Sequence, residues 1–327
     1  MFLARYATIA LMLEASCGRN ALPFRGEQLD GAVGVCGGVS SHPSVLAQLP
    51  VSPREIATDA VFVYFTVFGD GPYQVAKASK ADGLVTPLVM GTGHPRDIAV
   101  AGGFVYWTDD VAGTVNRVGV DGGAVEALVT GHLGAEGLAL DATSIYWTDA
   151  MIAEGSVSRV ALGGGTVQTL ALHQRQPVAI AVDGSGLCWI NLTGGTITCS
   201  SLDGVGAIDI ASGQRSPQAI ALDQDRAYWT DSDIGSISSA ARTGGAVTTL
   251  ASGGSSFYMI AVNQDRLYWT DSGTGLAVDG AVLSISVSGG PQQMIADQQA
   301  YPAGIAVDND TVYWAEQDGQ ALRCAPK

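Results

Sequence analysis

Basic residues are scarce in this chain of 327 residues, which carries 16 Lys and Arg against 31 Asp and Glu. The formal net charge is −15 at pH 7. A nucleic-acid surface needs clustered Lys and Arg to neutralise phosphates, and an anionic membrane surface attracts the same side chains. The composition therefore argues against nucleic acid as a partner and leaves membrane contact to a lipid anchor alone. We expect a soluble monomer.

Signature motifs of catalysis are also absent. The sequence contains no nucleophile elbow, no phosphate loop, no His-Glu-x-x-His and no Cys-x-x-Cys. Charged residues make up only 14% of the chain, whereas hydrophobic residues make up 47% and Gly occupies 43 positions. This composition is typical of many short buried strands joined by tight turns, and it argues against both long helices and disorder.

A Tyr-Trp-Thr-Asp motif recurs through the chain. Four full copies are Tyr106–Asp109, Tyr146–Asp149, Tyr228–Asp231 and Tyr268–Asp271, and weaker copies are Tyr64–Thr66, Cys188–Asn191 and Tyr313–Glu316. The second aromatic position lies at 65, 107, 147, 189, 229, 269 and 314, so the period is close to 40 residues. A period of this size in a Gly-rich, β-rich chain predicts the blades of a propeller.

Each motif lies in a repeating unit of four short β-like runs. An apolar run centred on Ala precedes it, as at Ile98–Val100, and an alternating segment follows, as at Gly113–Val118. A Gly-Gly turn then leads to a last apolar run, as at Ala127–Val129. These signals predict a four-stranded antiparallel sheet. Because such sheets are apolar on both faces, they must stack radially, and the predicted fold is an all-β β-propeller.

The end of the chain indicates how the ring closes. Seven copies of the first three strands are visible, so we predict seven blades, with six as the alternative. The seventh copy has no fourth strand at the carboxyl end. Residues 44–48 lie upstream of Pro53 at the offset that Gln168–Ala171 shows to Pro177. We therefore predict that they pair with residues 320–324 and close the ring.

The Tyr-Trp-Thr-Asp repeats resemble the class B repeats of the low-density-lipoprotein receptor family and their bacterial relatives. The resemblance covers residues 44–327 and implies a single propeller domain that binds other molecules on one face. That family usually has six blades, whereas this chain offers seven units. The Cys-dense modules that flank the receptor propellers are missing, so receptor function does not follow from the resemblance.

Residues 1–17 are typical of a short export signal, with one Arg and an apolar run from Tyr6 to Leu13. The run is too short to span a bilayer as a helix. The residues before Cys17 resemble a bacterial lipoprotein signal, although Glu14 departs from that pattern. Residues 18–43 lack any period and predict a flexible tether. We therefore expect a periplasmic or cell-surface protein, and lipidation of Cys17 stays open.

The cysteine count supports export. If Cys17 carries lipid or is removed, four of the five Cys remain. Cys188 and Cys199 lie on adjacent predicted strands, and the hairpin register places them directly opposite each other. This predicts a cross-strand disulfide, with two buried thiols as the alternative. Cys36 and Cys324 lie near the two ends of the ring, and the sequence leaves their pairing open.

Extra residues in the repeats fall between strands two and three, within Phe68–Tyr73, Met151–Glu154 and Gly273–Asp279. In a blade these loops share a face with the loops that enter strand one. Insertions confined to one face often mark a binding face, and neutral drift is the alternative. The polar residues that we predict to contact a ligand or protein partner on this face are His94, Arg96, Glu136, His173, Arg175, Arg215, Tyr258 and Tyr301.

The acidic residue of each motif permits two interpretations. The set comprises Asp109, Asp149, Asp231 and Asp271, with Asn191 and Glu316 at matching positions. It could hold a divalent cation on the axis, or each side chain could cap backbone N–H groups nearby. Capping is favoured because a binding site usually breaks symmetry. The repeated Trp107, Trp147, Trp229 and Trp269 are predicted to pack between blades. We expect no resident cofactor, with the axial cation as the alternative.

Two functions remain open. The first is a non-enzymatic binding or scaffold propeller of the bacterial cell envelope. The second is a propeller hydrolase or lyase of the lactonase kind, which needs acids and His residues that converge on the axis. Its candidate residues are Glu55, Asp97, Glu136, His94 and His173. The absence of catalytic motifs favours the first.

Overall fold

The computed structural model describes residues 36, 43–68, 71–91, 93–275 and 278–327. The predicted export signal and all of the tether except Cys36 and Pro43 lie outside these residues. The described chain forms seven four-stranded antiparallel sheets and contains no helix. Accordingly, no helix within it has the length and apolar character needed to cross a membrane.

The strands follow the repeat. Blade 1 contains β2 (Pro53–Thr58), β3 (Phe62–Val67), β4 (Tyr73–Ser79) and β5 (Val85–Met90), and blade 2 contains β6 (Pro95–Ala101), β7 (Phe104–Asp109), β8 (Thr114–Gly119) and β9 (Glu126–Val129). Blade 3 contains β10 (Ala135–Leu140), β11 (Ser144–Asp149), β12 (Gly155–Ala161) and β13 (Gln168–Gln174), and blade 4 contains β14 (Pro177–Asp183), β15 (Gly186–Asn191), β16 (Thr196–Ser200) and β17 (Ile208–Ala211).

The remaining blades have the same construction. Blade 5 contains β18 (Pro217–Leu222), β19 (Arg226–Asp231), β20 (Ser236–Ala241) and β21 (Thr248–Ser252), and blade 6 contains β22 (Phe257–Asn263), β23 (Arg266–Asp271), β24 (Gly280–Ser286) and β25 (Gln293–Gln299). Blade 7 contains β26 (Pro302–Val307), β27 (Thr311–Glu316), β28 (Ala321–Pro326) and β1 (Ser44–Gln48). The first strand of every blade packs against the first strands of both neighbouring blades, so the ring is closed.

The predicted closure is confirmed. Strand β1 pairs with β28, with Ser44 opposite Cys324 and Gln48 opposite Ala321. The amino-terminal strand is therefore the outermost strand of the last blade, and no strand of that blade is left without a partner. The alternative of six blades is wrong, because all seven repeat units form complete sheets.

The aromatic residues of the repeat fill the space between blades. Trp107, Trp147, Trp229 and Trp269 are each at most 2% exposed, as are the corresponding Trp189 and Trp314. Each belongs to an apolar cluster that joins two blades. Burial of side chains of this size supplies much of the apolar area that stabilises the ring.

The threonine of the repeat links neighbouring blades through its hydroxyl. Thr108 Oγ1 accepts a hydrogen bond from Asp97 N in its own blade and donates one to Glu136 O in the next blade, at 3.2 and 2.5 Å. Thr230 makes the same pair of bonds to Ala219 N and Tyr258 O. Because each hydroxyl ties two first strands together, it fixes the backbone around the axis.

The acidic residue of the repeat caps its loops, as the capping interpretation predicts. Asp109 accepts hydrogen bonds from the amides of His94 and Ala112 at 3.0 and 2.8 Å. Asp231 and Asp271 likewise accept from amides of the loop that enters strand one and of their own turn. Asp149 instead bonds to the His132 ring at 2.8 Å.

Two disulfides are present. Cys188 lies opposite Cys199 in the β15–β16 ladder, and their Cα atoms are 4.0 Å apart, so the predicted cross-strand bond is made. The second bond joins Cys36 to Cys324 across a sequence separation of 288 residues. Because structural disulfides persist in oxidising compartments, the pair of bonds indicates an oxidising environment.

Candidate binding site

The candidate site lies where the first strands begin, around the axis. The loops between strands two and three are on this face, since Asp110 N bonds to His94 O and Ala150 N bonds to Gly134 O. Parts of two inserted loops, residues 69–70 and 276–277, lie outside the described residues. In six of the seven blades, the second residue, the third residue or both of the first strand line one region, and threonine hydroxyls bond to the backbone amide of the third residue.

These positions are not alike in the seven blades. Blades 1 to 3 supply the charged side chains, and the other blades supply apolar, amide and aromatic ones. The second residues are Arg54, Arg96, Glu136, Val178, Gln218, Tyr258 and Ala303, and the third residues are Glu55, Asp97, Gly137, Ala179, Ala219, Met259 and Gly304. A regular scaffold thus carries an asymmetric ring of groups, which a specific site requires.

A cavity of about 60 Å³ opens among these residues. Its charged wall contains Arg54, Glu55, Arg96, Asp97 and Glu136, and the rest of its lining is Gly137, Val178, Ala179, Gln218, Tyr258 and Met259. Pockets that enclose an entire small molecule measure about 300–1,000 Å³. This cavity is therefore suited to the end of a ligand whose remainder lies on the face of the propeller.

Two of the charged residues are already bound within the protein. Arg96 forms an ion pair with Asp110 at 2.5 Å. The Asp97 carboxylate accepts hydrogen bonds from Leu138 N and Ile98 N, both at 2.8 Å. These bonds hold both side chains in place in the cavity wall.

Glu55 and Glu136 are less fully engaged. Arg54 Nε lies 4.0 Å from Glu55 Oε1, which is too long for a hydrogen bond. Glu55 is 7% exposed, and among the described residues no hydrogen bond reaches its carboxylate or that of Glu136. These groups therefore remain able to bind a ligand.

Burial dominates the electrostatics of the cavity. It raises the pKa of Glu55 to about 8, helped by the charges of Asp97 and Glu136 and opposed by that of Arg54. Burial also raises the pKa of Asp97 to about 6 and moves the pKa of Glu136 upward. The pKa of Tyr258 is raised for the same reason. Perturbed carboxyl groups in a cleft are typical of functional sites.

One aromatic side chain contacts both guanidinium groups of the cavity. The Phe68 ring lies 5.5 Å from the Arg54 guanidinium carbon and 5.4 Å from that of Arg96. The His94 ring contacts Phe68 edge-on, with centroids 4.5 Å apart. Since cation–π contacts hold both arginines, the cationic part of the wall is pre-organised.

The structure brings together only part of the predicted binding set. Arg96, Glu136 and Tyr258 line the cavity, and His94 supports it through Phe68. Burial raises the pKa of the Tyr301 hydroxyl, and the nearby charge of Arg54 opposes this rise.

The other predicted residues lie away from the cavity. His173 pairs with Glu154, and both side chains are 75% exposed. Arg215 is 70% exposed and 3.8 Å from Asp233, and Arg175 is exposed. His173 lies near the end of the outer strand β13, and Arg175 and Arg215 lie in loops before a first strand begins, so all three are away from the axis.

Sequence reasoning did not single out Arg54 or Gln218 and considered Glu55 and Asp97 only as possible catalytic acids. Variation among the aligned repeats could have identified these residues. The second and third residues of the first strand vary strongly between otherwise similar units, and these are the residues that line the cavity.

Metal binding would need several ligating side chains close together. Within the described part of the chain, no three His, Cys, Asp or Glu side chains come together in a way that could hold a metal ion. The arrangement can instead donate hydrogen bonds from guanidinium, accept them at carboxylates, and exchange a proton near neutral pH.

Comparison with known proteins identifies the fold. No protein-family model matches the chain, and no curated protein matches it. A solved nidogen/laminin complex is similar at 22% identity and a TM-score of 0.52, over 59% of this chain and 78% of that one. An inactive virginiamycin B lyase from Staphylococcus aureus, solved with quinupristin, is similar at 15% identity and a TM-score of 0.72, over 88% and 98%. The WD40 propeller domain of Doa1 is similar at 14% and 0.72, over 87% and 97%.

These likenesses agree with a seven-bladed propeller built from Tyr-Trp-Thr-Asp-type repeats. They include a protein taken from a binding complex and an enzyme, and all lie below 25% identity. Because one fold supports unrelated functions, the choice between binding and catalysis depends on the site.

Proposed function

We propose that the protein is a non-enzymatic binding propeller of the bacterial cell envelope and that it holds its ligand at the axial cavity. The observation that carries the proposal is the asymmetry of the first strands. Five charged side chains from blades 1 to 3 line one cavity together with Val178, Ala179 and Met259, in an otherwise regular ring. The two disulfides support an exported location.

The proposal is tested by closing the cavity. Val178 occupies the position that Tyr258 occupies in blade 6, so the scaffold already tolerates an aromatic side chain there. Val178→Tyr should fill the cavity without unfolding the ring. The matched control is Val205→Tyr, at a residue that is 68% exposed in the turn between β16 and β17.

Both variants and the unmodified protein would be immobilised and exposed to envelope extract. Bound molecules would be identified by mass spectrometry. A component that is retained by the unmodified protein and by Val205→Tyr, but lost with Val178→Tyr, supports the proposal. Identical retention by all three proteins would refute it.

The second candidate function is acid–base catalysis by a hydrolase or lyase. One observation favours it: Glu55, with a pKa of about 8, is mostly protonated at neutral pH and could act as a general acid. Asp97 or Glu136 would then serve as the base. The low-mass fraction of the extract, incubated with the protein and with Glu55→Gln, distinguishes the two functions. A compound consumed only by the unmodified protein favours catalysis, whereas recovery of an unchanged ligand favours binding.

A further inference from the structure

The axial cavity contains more carboxyl groups than cations. Glu55, Asp97 and Glu136 line it together with Arg54 and Arg96, and the ion pair of Arg96 with Asp110 brings the local count to four carboxyl groups against two guanidinium groups. A buried cluster with unpaired carboxylates is costly, because desolvation and mutual repulsion both oppose ionisation. An added cation would relieve both effects.

Two carboxyl groups are positioned to receive such a cation. The Glu55 side chain is 91% buried, since its exposure is 9%, and its nearest charged partner lies 4.0 Å away. The Glu136 carboxylate has no hydrogen-bond donor among the described residues and lines the same cavity. Asp97 is unlike these two, because backbone amides already occupy both of its oxygens.

Apolar side chains in the lining suit an aliphatic stem. Val178, Ala179 and Met259 line the same cavity as the acids, and Tyr258 adds an aromatic surface. An alkyl chain could therefore lie against these residues while its charged end meets the carboxylates.

We infer that the cavity binds the cationic end of an organic ligand, an alkylammonium or alkylguanidinium group, with Glu55 and Glu136 as the receiving carboxylates. The inference rests on the proposed binding function and gives its ligand class. A bare metal ion fits less well, because within the described chain no three potential ligands come together to hold one. Free amines and the Lys or Arg side chains of a polypeptide share the required chemistry.

The test uses three probes of the same length: n-butylammonium, butyrate and n-butanol. Binding to the full chain would be followed by NMR chemical-shift titration at about pH 9, because Glu55, whose pKa is about 8, is mainly ionised there while an alkylammonium keeps its charge. We expect saturable binding of butylammonium and at least tenfold weaker binding of butyrate and butanol, because only the cation gains charge-assisted hydrogen bonds.

Matched variants locate the receiving groups. Glu136→Gln and Glu55→Gln should each weaken butylammonium binding by about tenfold, the loss expected for one hydrogen bond to a charged group. Glu154→Gln is the control, because Glu154 is an exposed Glu near the same face and pairs only with His173. It should leave the affinity unchanged.

The inference is overturned if butylammonium fails to saturate, if butyrate or butanol binds as tightly, or if Glu154→Gln weakens binding as much as Glu136→Gln. Should Val178→Tyr still abolish capture from the extract in that case, the proposed binding function would stand with a ligand of another class. Putrescine and Nα-acetyl-lysine methylamide separate the two sources. Tighter binding of the first indicates a free amine, and tighter binding of the second indicates a polypeptide side chain.

Discussion

The Asp97 carboxylate of blade 2 accepts a hydrogen bond at 2.8 Å from the backbone amide of Leu138 in blade 3. Its other oxygen accepts from Ile98 N in its own blade. One side chain therefore fixes two neighbouring first strands at the edge of the cavity, in addition to the threonine bridge between the same blades.

Replacing this residue should destabilise the ring. Asp97→Ala removes the acceptor of two amides and is expected to lower the free energy of unfolding by about 1–3 kcal/mol. Urea denaturation measures the change. Asp225→Ala, at an exposed aspartate on the opposite loops, is the control and should change stability by less than about 0.5 kcal/mol. Equal effects of the two substitutions would contradict the structural role of Asp97.

Glu55 should make stability depend on pH. Its pKa is about 8 in the folded protein, against an ordinary value of 4.5, so the folded state binds the proton more tightly than the unfolded state. Its stabilising contribution is complete below about pH 4.5 and is lost as the pH rises to about 8. Asp97 and Glu136 act in the same direction, and the charges of Arg54 and Arg96 oppose the shift at Glu55.

The Glu55→Gln variant should therefore lose stability less steeply than the unmodified protein between about pH 5 and about pH 8. Near pH 8 it should be the more stable of the two, because it carries no buried charge at this position. Urea midpoints across this range, with Glu154→Gln as the reference, give the comparison. If the urea midpoints of all three proteins changed with pH in parallel, the pKa of Glu55 would not be raised in the folded protein.

The two disulfides should differ in their effect on stability. In the chain-entropy view, Cys188–Cys199 contributes about 3 kcal/mol, and Cys36–Cys324, with a separation of 288 residues, contributes about 6 kcal/mol. The double Ser variant of Cys36 and Cys324 should therefore unfold at lower urea than the double Ser variant of the other pair. Hydrogen exchange of β1 amides should also rise in the first variant alone. The reverse order of stabilities would contradict this assignment.

Blade 6 lacks a bond that three other blades make. In those blades a Gln accepts from the indole N–H of a Trp that follows 15 residues later, as Gln214 does for Trp229. The corresponding position before Trp269 is Gly254, and the buried Trp269 Nε1 has no hydrogen-bond partner among the described residues. A side chain at Gly254 would collide mainly with Phe257, which replaces the Pro of most blades and packs on Trp269 with centroids 5.4 Å apart, and it would also press on the Asp271 carboxylate.

Restoring the common pattern should therefore require two changes. Gly254→Gln alone is expected to destabilise through the collision, and Phe257→Pro alone through lost packing. The double variant should be more stable than the sum of the single effects predicts, by about 1 kcal/mol or more, because Gln then reaches the indole. A double-mutant cycle in urea measures this coupling. Simple additivity would mean that Phe257 does not occupy the space of the missing Gln.

Sequence periodicity was sufficient to predict the blades, the ring closure and the Cys188–Cys199 bond. Each depends on local register, which the two-residue alternation of a strand fixes. The offset of residues 44–48 before Pro53 was informative because all outer strands keep nearly the same distance from the next first strand.

The site was harder to predict because it depends on distances between blades. Arg175 and Arg96 both lie near the start of a first strand in the sequence, yet only Arg96 reaches the cavity. Arg175 precedes Pro177 and remains in the exposed loop, whereas Arg96 follows Pro95 and lies inside the strand. A side chain just before the proline therefore lies in the loop, whereas one just after it lies in the first strand and reaches the cavity. Composition alone does not reveal this difference.

The bond between Cys36 and Cys324 turns almost the whole propeller into a covalent circle. A protease that cuts one exposed loop anywhere between these residues opens the circle but releases no fragment. The severed ends stay in neighbouring strands, so a single nick adds only one water to the mass and leaves the set of blades together until the bond is reduced. In an oxidising environment that contains proteases, this arrangement favours survival of the assembled ring after the first cleavage.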